Sequence, residues 1–395
     1  MRIAIISNSP WSSTGYGMQT KQVALALKAA GHDLSIQAFY GHQGSPIDWN
    51  GIMIYGGGAH PFGFDVMHAH ASNFKADILI SNMDSWVMEP DLLFSTKWVA
   101  WFPVDSEPCP PLVIEKVKKA FHRIVWTEHG KREMEKAGLD YDYIPYGVDT
   151  ELFKPGDKVE ARKIAGLPLD KFIVGMVAMN KGYPSRKAFH QNIEAFKRFH
   201  DKHPDSMLYM HTLDGSRPNG ETIDLQGFCK SLDLKIGTDV LFAEQYSYIL
   251  GYPDQAMNTL YNCFDVHLLV SMGEGFGMPQ LEAQSCGVPV ICGDWTTMPE
   301  LCFSGWKVDK KDAERFYTLQ NTYQFLPHID AIADKLELAY KMRGNQDYSK
   351  RAREGALKYD IKKVVEKYWL PVLVNIEKKI QETPDKSVSE LGLLR

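Results

Sequence analysis

Short apolar runs separated by amphipathic stretches recur along this chain, once from residue 2 to about 145 and again from residue 172 onward. In the first series, Arg2 to Ile6, Asp33 to Ala38, Ala76 to Ile80, Lys97 to Trp101, Arg123 to Thr127 and Tyr141 to Ile144 read as strands. Helices are predicted over Gln19 to Ala30, ended by Gly31, over Pro111 to Ala120, and over Glu128 to Ala137, stopped by Gly138. In the second series, strands are predicted at Phe172 to Val177, Met207 to His211, Val240 to Ala243, Val266 to Val270 and Val288 to Cys292, with a helix from about Lys187 to His200. Strands and helices that alternate in this way make parallel sheets covered by helices. The expected fold class is therefore α/β, with two Rossmann-like, doubly wound parallel-sheet domains facing a central cleft. The turn-rich segment from Pro145 to Asp157 reads as the passage between them, giving expected domains at 1–160 and 161–358. Tyr359 to Gln381 has long helical character, and the residues after Thr383 are polar.

Length and charge narrow the picture. A chain of 395 residues is long for one core and suits two domains, and its 44% hydrophobic and 24% charged content is that of an ordinary globular protein. A net charge of −5 gives no global attraction to nucleic acid or anionic lipid. A local basic patch would still serve, so contact with a peripheral membrane or DNA acceptor stays open. The start, Met1 to Ile6, turns polar at Ser7 and is too short for a signal peptide, and no apolar run approaches a membrane span. A cytoplasmic protein without a transmembrane segment is expected. Cys109, Cys229, Cys263, Cys286, Cys292 and Cys302 are scattered without paired spacing, which indicates neither a disulfide framework nor a zinc site. His68-Ala-His70 would set two imidazoles on one strand face with no partner ligand nearby, and Asp140-Tyr-Asp142 reads as a surface turn. No metal site is predicted.

The most informative chemistry lies in Ser271-Met-Gly-Glu274-Gly-Phe-Gly-Met-Pro279-Gln-Leu-Glu282-Ala. It follows the apolar run Val266 to Val270, and Pro279 suits the first turn of a helix, so the segment reads as strand, glycine turn, helix. Gly273, Gly275 and Gly277 would let a ligand approach the backbone, and the free N–H groups of the helix start attract anions, the architecture of a phosphate site. A carboxylate on such a turn suits sugar hydroxyls better than phosphate. By spacing, Glu282 would face the same cleft as Glu274. A second anion element appears in Asn180-Lys181-Gly-Tyr-Pro184-Ser-Arg186-Lys187, where adjacent cations at a helix start oppose the helix dipole and call for an anionic partner.

On these residues the chain resembles the retaining glycosyltransferases of GT-B fold, most closely glycosyltransferase family 4, the group 1 type, with its E-x7-E motif. Pro145-Tyr-Gly-Val-Asp149, with Phe153 and Pro155, resembles that family's passage between domains, and the terminal helical segment, within 359–395, resembles the helix that returns to brace the first domain. The resemblance implies that Glu274 holds the donor sugar and Glu282 the ribose of the nucleotide. It implies that Lys187, with Arg186 or Lys181, neutralises the diphosphate together with the turn Gly275, Phe276, Gly277 and Met278. The loop with Gly15 and Gly17 would close on the donor phosphates, and Gln245 and Tyr246 would lie near the base. Two departures stand out. Met179 occupies the place of the family's Arg, and Asp105, in Pro103-Val-Asp105-Ser-Glu107, that of the family's His; Asp84 is another cleft carboxylate. His211 ends a strand near the expected sugar, and Trp86, Trp98, Trp101 and Trp126 have aromatic faces suited to a sugar ring, although such residues are more often core.

The resulting expectation is a retaining, metal-independent hexosyltransferase that needs no cofactor beyond its nucleotide-diphosphate sugar, with UDP-glucose favoured. The acceptor hydroxyl is unidentified and could belong to a glycan, a lipid or a hydroxymethylated DNA base. The alternative is a sugar-nucleotide-binding protein without transfer activity. An NAD-dependent oxidoreductase is disfavoured, because Thr20 stands where the dinucleotide fingerprint has its third glycine and the second strand ends without an acidic residue.

Overall fold

The computed structural model describes residues 1–93, 96–215 and 222–382. The polar tail after Thr383 lies outside the described residues. In β1 (Arg2–Asn8) every residue but the first is buried, which requires cover on both faces and suits the centre of a parallel sheet. It is followed by α1 (Gly15–Ala29), β2 (Asp33–Tyr40), β3 (Ile47–Trp49), β4 (Ile52–Gly56), α2 (Phe64–Phe74), β5 (Ile78–Asn82), β6 (Trp98–Phe102), α3 (Pro111–Lys118), β7 (His122–Val125), α4 (Glu128–Lys136) and β8 (Asp142–Tyr143). The strands form one sheet in the order β3-β4-β2-β1-β5-β6-β7-β8, parallel except where β3 meets β4. The C-terminal ends of β2, β1, β5 and β6 therefore lie side by side, on the edge where open α/β sheets bind ligands.

The second domain repeats the plan: α5 (Lys158–Ala165), β9 (Phe172–Val177), α6 (Phe189–His200), β10 (Ser206–His211), α7 (Leu225–Ser231), β11 (Val240–Phe242), α8 (Gln245–Leu250), α9 (Asp254–Asn262), β12 (Val266–Leu269), α10 (Met278–Ser285), β13 (Val290–Gly293) and β14 (Gly305–Val308). Its parallel sheet runs β11-β10-β9-β12-β13-β14. The antiparallel hairpin β15 (Ala313–Tyr317) and β16 (Tyr323–Pro327) comes next, then α11 (Ile329–Lys341) and α12 (Gln346–Ala356). The chain ends in α13 (Ile361–Val364), a π turn at Val365–Trp369, and α14 (Leu370–Glu382). Pro371 has no N–H to give the preceding turn, which accounts for the wider π winding just before it.

Three contacts tie these parts together. Trp369 is buried edge-on against Trp101 at 4.8 Å, and Lys379 Nζ donates to Phe121 O at 2.6 Å, so the terminal helix lies on the first domain. The hairpin reaches the same domain, where Glu107 N donates to Tyr323 O at 2.9 Å, Lys310 Nζ to Glu107 Oε2 at 2.6 Å, and Thr322 Oγ1 to Pro108 O. Gln19 of α1 grips the passage between domains, its amide donating to Gly147 O at 2.5 Å and accepting from Gly147 N at 3.0 Å.

Several local expectations are corrected. His68 and His70 lie on helix α2, not on a strand, so residues two apart point to different sides; Phe64, Met67 and Ala71, at helical spacing, are the buried positions. His70 stacks on Tyr55, and His68 Nδ1 lies 3.1 Å from Thr96 Oγ1. Helix α1 begins at Gly15, four residues before the predicted start, because the Thr14 side chain accepts from Gly17 N and caps it there. Among the described residues no helix is long and apolar enough to cross a membrane.

Candidate functional site

The site is built on two turns at the C-terminal edge of the second sheet. After β12 the chain turns through Ser271 to Gly277, whose φ of 103° opens α10 without a side-chain cap. After β9 the chain passes Arg186 and Lys187 to Ala188, at φ 48°, and only then enters α6. The two cations thus precede the helix and are not in its first turn, a correction of the predicted start at Lys187. Asn192 clamps the turns together, its Nδ2 donating to Ala188 O at 2.9 Å and Val270 O at 3.1 Å, while Met272 N donates to Arg186 O at 2.7 Å.

Between these turns sits Glu274, whose side chain is only 4% exposed. Its Oε1 accepts from Lys187 Nζ at 2.6 Å and Ser271 Oγ at 2.5 Å, and its Oε2 from Arg186 Nη1 at 3.2 Å. Thr296 and Thr297 pin its backbone, at 3.2 Å to the N–H and 2.8 Å to the carbonyl. Burial alone would raise the carboxyl, but Lys187 and then Arg186 pull it down to about 2. Burial lowers the Lys187 ammonium even though Glu274 pulls it upward. Beside them on β12, His267 is fully buried and pushed down to about 3, mainly by burial and then by the charge of Lys187, so it is neutral. Glu274 is ionised and Arg186 charged beside it.

The first domain contributes carboxylates from neighbouring strands. Asp105, after β6, has Oδ2 3.7 Å from Arg186 Nε. Asp84, after β5, is hydrogen-bonded to Tyr16 of the first turn of α1. Burial, and secondly the charge of Asp105, push Asp84 up to about 6 against the opposing pull of Tyr16, Arg186 and Lys181. Tyr16 is not marked by any sequence signal beyond the glycines on either side.

The remaining candidates occupy varied places. Gly15 opens onto free space, whereas a Cβ on Gly17 would meet Ser12 O at 2.5 Å, so Gly17 serves the packing of α1 on its own loop. A side chain on Gly273 would strike Asp105 O, and one on Gly275 would lie 2.6 Å from Pro103 Cβ. At these two glycines the first domain comes close to the backbone. Phe276 is buried, its ring 5.2 Å from Tyr146 and 6.2 Å from Tyr359, and Met278 Sδ lies 3.7 Å from Gln19 Nε2. Lys181 is exposed and acts on Asp84 through its charge. Gln245 holds backbone, accepting from Asp214 N at 3.0 Å and donating to Ala243 O at 2.8 Å, while Tyr246 is largely exposed on α8. Glu282 accepts from Tyr261 Oη at 2.7 Å within the α9 and α10 pair, and burial raises it to about 7. It shares none of the contacts that hold Glu274. Glu300, absent from the sequence-derived set, crosses between domains, its Oε2 accepting from Glu128 N at the start of α4 at 2.7 Å.

Residues 172–319, the region that carries both turns, match the family described as glycosyl transferases group 1. The fold that carries the match is GT-B. The chain is 29% identical over 199 residues, 48% of its own length, to the D-inositol 3-phosphate glycosyltransferase of Acidothermus cellulolyticus, and the match spans only 42% of that relative. Among solved structures, the sucrose-phosphate synthase of Thermosynechococcus elongatus superposes with a TM-score of 0.73 at 17% identity, over 97% of this chain and all of that one. Anabaena HepE in complex with UDP and glucose gives a TM-score of 0.68 at 16% identity, over 96% of this chain and all of its own. Glu274, Arg186 and Lys187 all fall within the matched region.

Proposed function

We propose that the chain is a retaining glycosyltransferase that moves a hexose from a nucleoside-diphosphate sugar, with UDP-glucose the favoured donor. The observation that carries the proposal is the contact of Glu274 with Lys187 and Arg186 across two turns at the sheet edge, facing Asp84 and Asp105 of the other domain. UDP-glucose is favoured because fold neighbours hold UDP with glucose. In the reaction the bond from the anomeric carbon to the β-phosphate oxygen breaks, and its electron pair leaves with the diphosphate. Lys187, Arg186 and the uncapped start of α10 would bind that charge as it develops, which lowers the barrier. Glu274, freed of its cations, would accept hydroxyl hydrogen bonds from the hexose. The acceptor oxygen attacks the same face, and its proton passes to the departing phosphate. The charge stabilisation comes from side chains and amides, so activity is expected to persist with chelator.

The test is a screen of UDP-glucose, GDP-mannose and UDP-N-acetylglucosamine for thermal stabilisation and release of the nucleoside diphosphate, for wild type and Lys187→Ala. A donor that stabilises and is turned over by the wild type, with both effects lost in the variant, is expected. Stabilisation by NADH instead of any sugar nucleotide would sink the proposal. Binding with neither transfer nor hydrolysis would favour a binding protein.

A further inference from the structure

The acceptor side carries a chemical signature of its own. Along the C-terminal edge of the first sheet, in the spatial order β2, β1, β5, β6, stand Tyr40, Trp11, then Asp84 with Trp86, then Asp105. This edge faces the second domain, as the approaches of Asp105 to Gly273 and of Ser13 to Gly251 demonstrate. Trp11 is 44% exposed yet fixed, its Nε1 donating to Gly41 O at 2.8 Å, and Trp86 is 40% exposed two residues beyond Asp84. Exposed aromatic faces on the same sheet edge as carboxylates suit the two surfaces of a sugar ring, its C–H face and its hydroxyl rim.

The charge on this edge selects further. Three cations around it have carboxylate partners, Lys21 on Asp254 at 2.9 Å, Lys131 on Glu128 at 2.9 Å and Lys310 on Glu107 at 2.6 Å, while Lys181 of the second domain is exposed and its charge reaches Asp84. Arg186, the cation nearest Asp105, belongs to the second domain, and a bound diphosphate would draw it away together with Lys187. The acceptor then meets Asp105 without its nearest cation, and beside it Asp84, which only the charge of Lys181 and the hydrogen bond of Tyr16 still favour as the anion. Resting on the transferase reading above, we propose that the acceptor is a neutral carbohydrate, with Asp84 and Asp105 receiving its hydroxyls and Trp11 and Trp86 flanking its ring. A phosphate on that ring would be repelled by Asp105 and by the ionised form of Asp84.

The test uses the full chain with whichever donor it turns over, and matched acceptors: glucose and glucose 6-phosphate, fructose and fructose 6-phosphate, and a neutral disaccharide. Neutral members are expected to be used with kcat/KM at least about ten-fold above their phosphorylated partners, since like charges placed together disfavour the wrong partner. Asp84→Asn and Trp86→Ala are expected to raise the acceptor KM more than the donor KM. Titration of the disaccharide into wild-type protein saturated with UDP gives a second reading that depends on no variant, and measurable binding is expected. Equal or better use of the phosphorylated members overturns the inference. So does continued donor hydrolysis with no transfer to, or binding of, any neutral sugar. Absence of donor binding itself would strike instead at the transferase reading.

Discussion

Replacing Glu274 by Gln removes one charge from the most tightly held carboxylate of the site while keeping its size. The carboxyl falls from 4.5 to about 2 in the folded protein, which at about 1.4 kcal/mol per unit corresponds to about 3 kcal/mol of stability. Lys187 is buried as well and its ammonium is lowered, so part of that gain is offset by hydration lost on the cation. A net cost of about 2 to 3 kcal/mol for Glu274→Gln is therefore expected at neutral pH. The folded value lies below the unfolded one, so this stabilisation is complete above about pH 4.5 and is lost as pH falls towards 2. Denaturant unfolding of both proteins between pH 8 and pH 3 checks the sign. The gap should hold constant down to about pH 5 and close below it. A gap as wide at pH 3 as at pH 7 would refute the ion-pair account.

The same variant separates structure from chemistry. If Glu274 positions the hexose, its turnover should fall by about a hundred-fold or more, the loss seen when one preorganised polar contact to a transition state is removed. Adding Lys187→Met removes the charge left unpaired and should restore about 1 kcal/mol, because broken buried pairs cost more than absent ones. Turnover should stay low in the double variant. Strictly additive stability losses would show that Lys187 and Glu274 are not coupled.

Three further outcomes follow from interdomain contacts. Gly273→Ala should push the first domain off the motif, because its new methyl would meet Asp105 O; an unchanged radius of gyration by solution scattering would contradict this. Burial first of all raises Glu300 to about 7, so as pH climbs from about 4.5 to 7 the ionising carboxylate destabilises the folded state. Glu300→Gln keeps an acceptor for Glu128 N and should match the wild type at pH 4 but exceed it by about 2 kcal/mol at pH 8, measured by denaturant midpoints. Trp369→Ala, emptying a fully buried position against Trp101, should cost about 3 to 5 kcal/mol by the same measurement.

The alternating sheets were legible because their strands are buried on both faces and read as near-continuous apolar runs, most cleanly Phe172–Val177, whose predicted and observed bounds coincide. Elements with mixed exposure were not. The hairpin β15 and β16 begins in Ala-Glu-Arg-Phe-Tyr, with both charged residues and Tyr317 exposed, so its pattern carries little periodic signal. Helix α2 carries His68 and His70 at a spacing that also suits one strand face, while Gly63 and Lys75, both left-handed, frame it as a helix. At the site, residue types were legible and partners were not. Lys187 and Glu274 are 87 positions apart, and their contact depends on Ala188 turning left-handed and on the grip of Asn192 on both turns. The motif glycines were legible as close approaches, but only the sheet ends reveal that Asp105 and Pro103 do the approaching.

If the donor binds as proposed, that geometry gives it two tasks that depend on each other. Glu274 holds Lys187 and Arg186 in the way a diphosphate would, so phosphate must compete with it for the same cations. Once phosphate has taken them, Glu274 is a buried carboxylate short of partners, a costly state unless sugar hydroxyls replace what was lost. A bare nucleoside diphosphate does half of this exchange, and the sugar completes it. UDP-glucose should therefore bind at least about ten-fold more tightly than UDP, and Glu274→Gln, with no charge to satisfy, should shrink that ratio mainly by strengthening UDP. Calorimetric titration of both ligands into both proteins decides it. If UDP matches UDP-glucose in the wild type, or if the variant leaves the ratio where it was, Glu274 does not couple release of the cations to capture of the sugar.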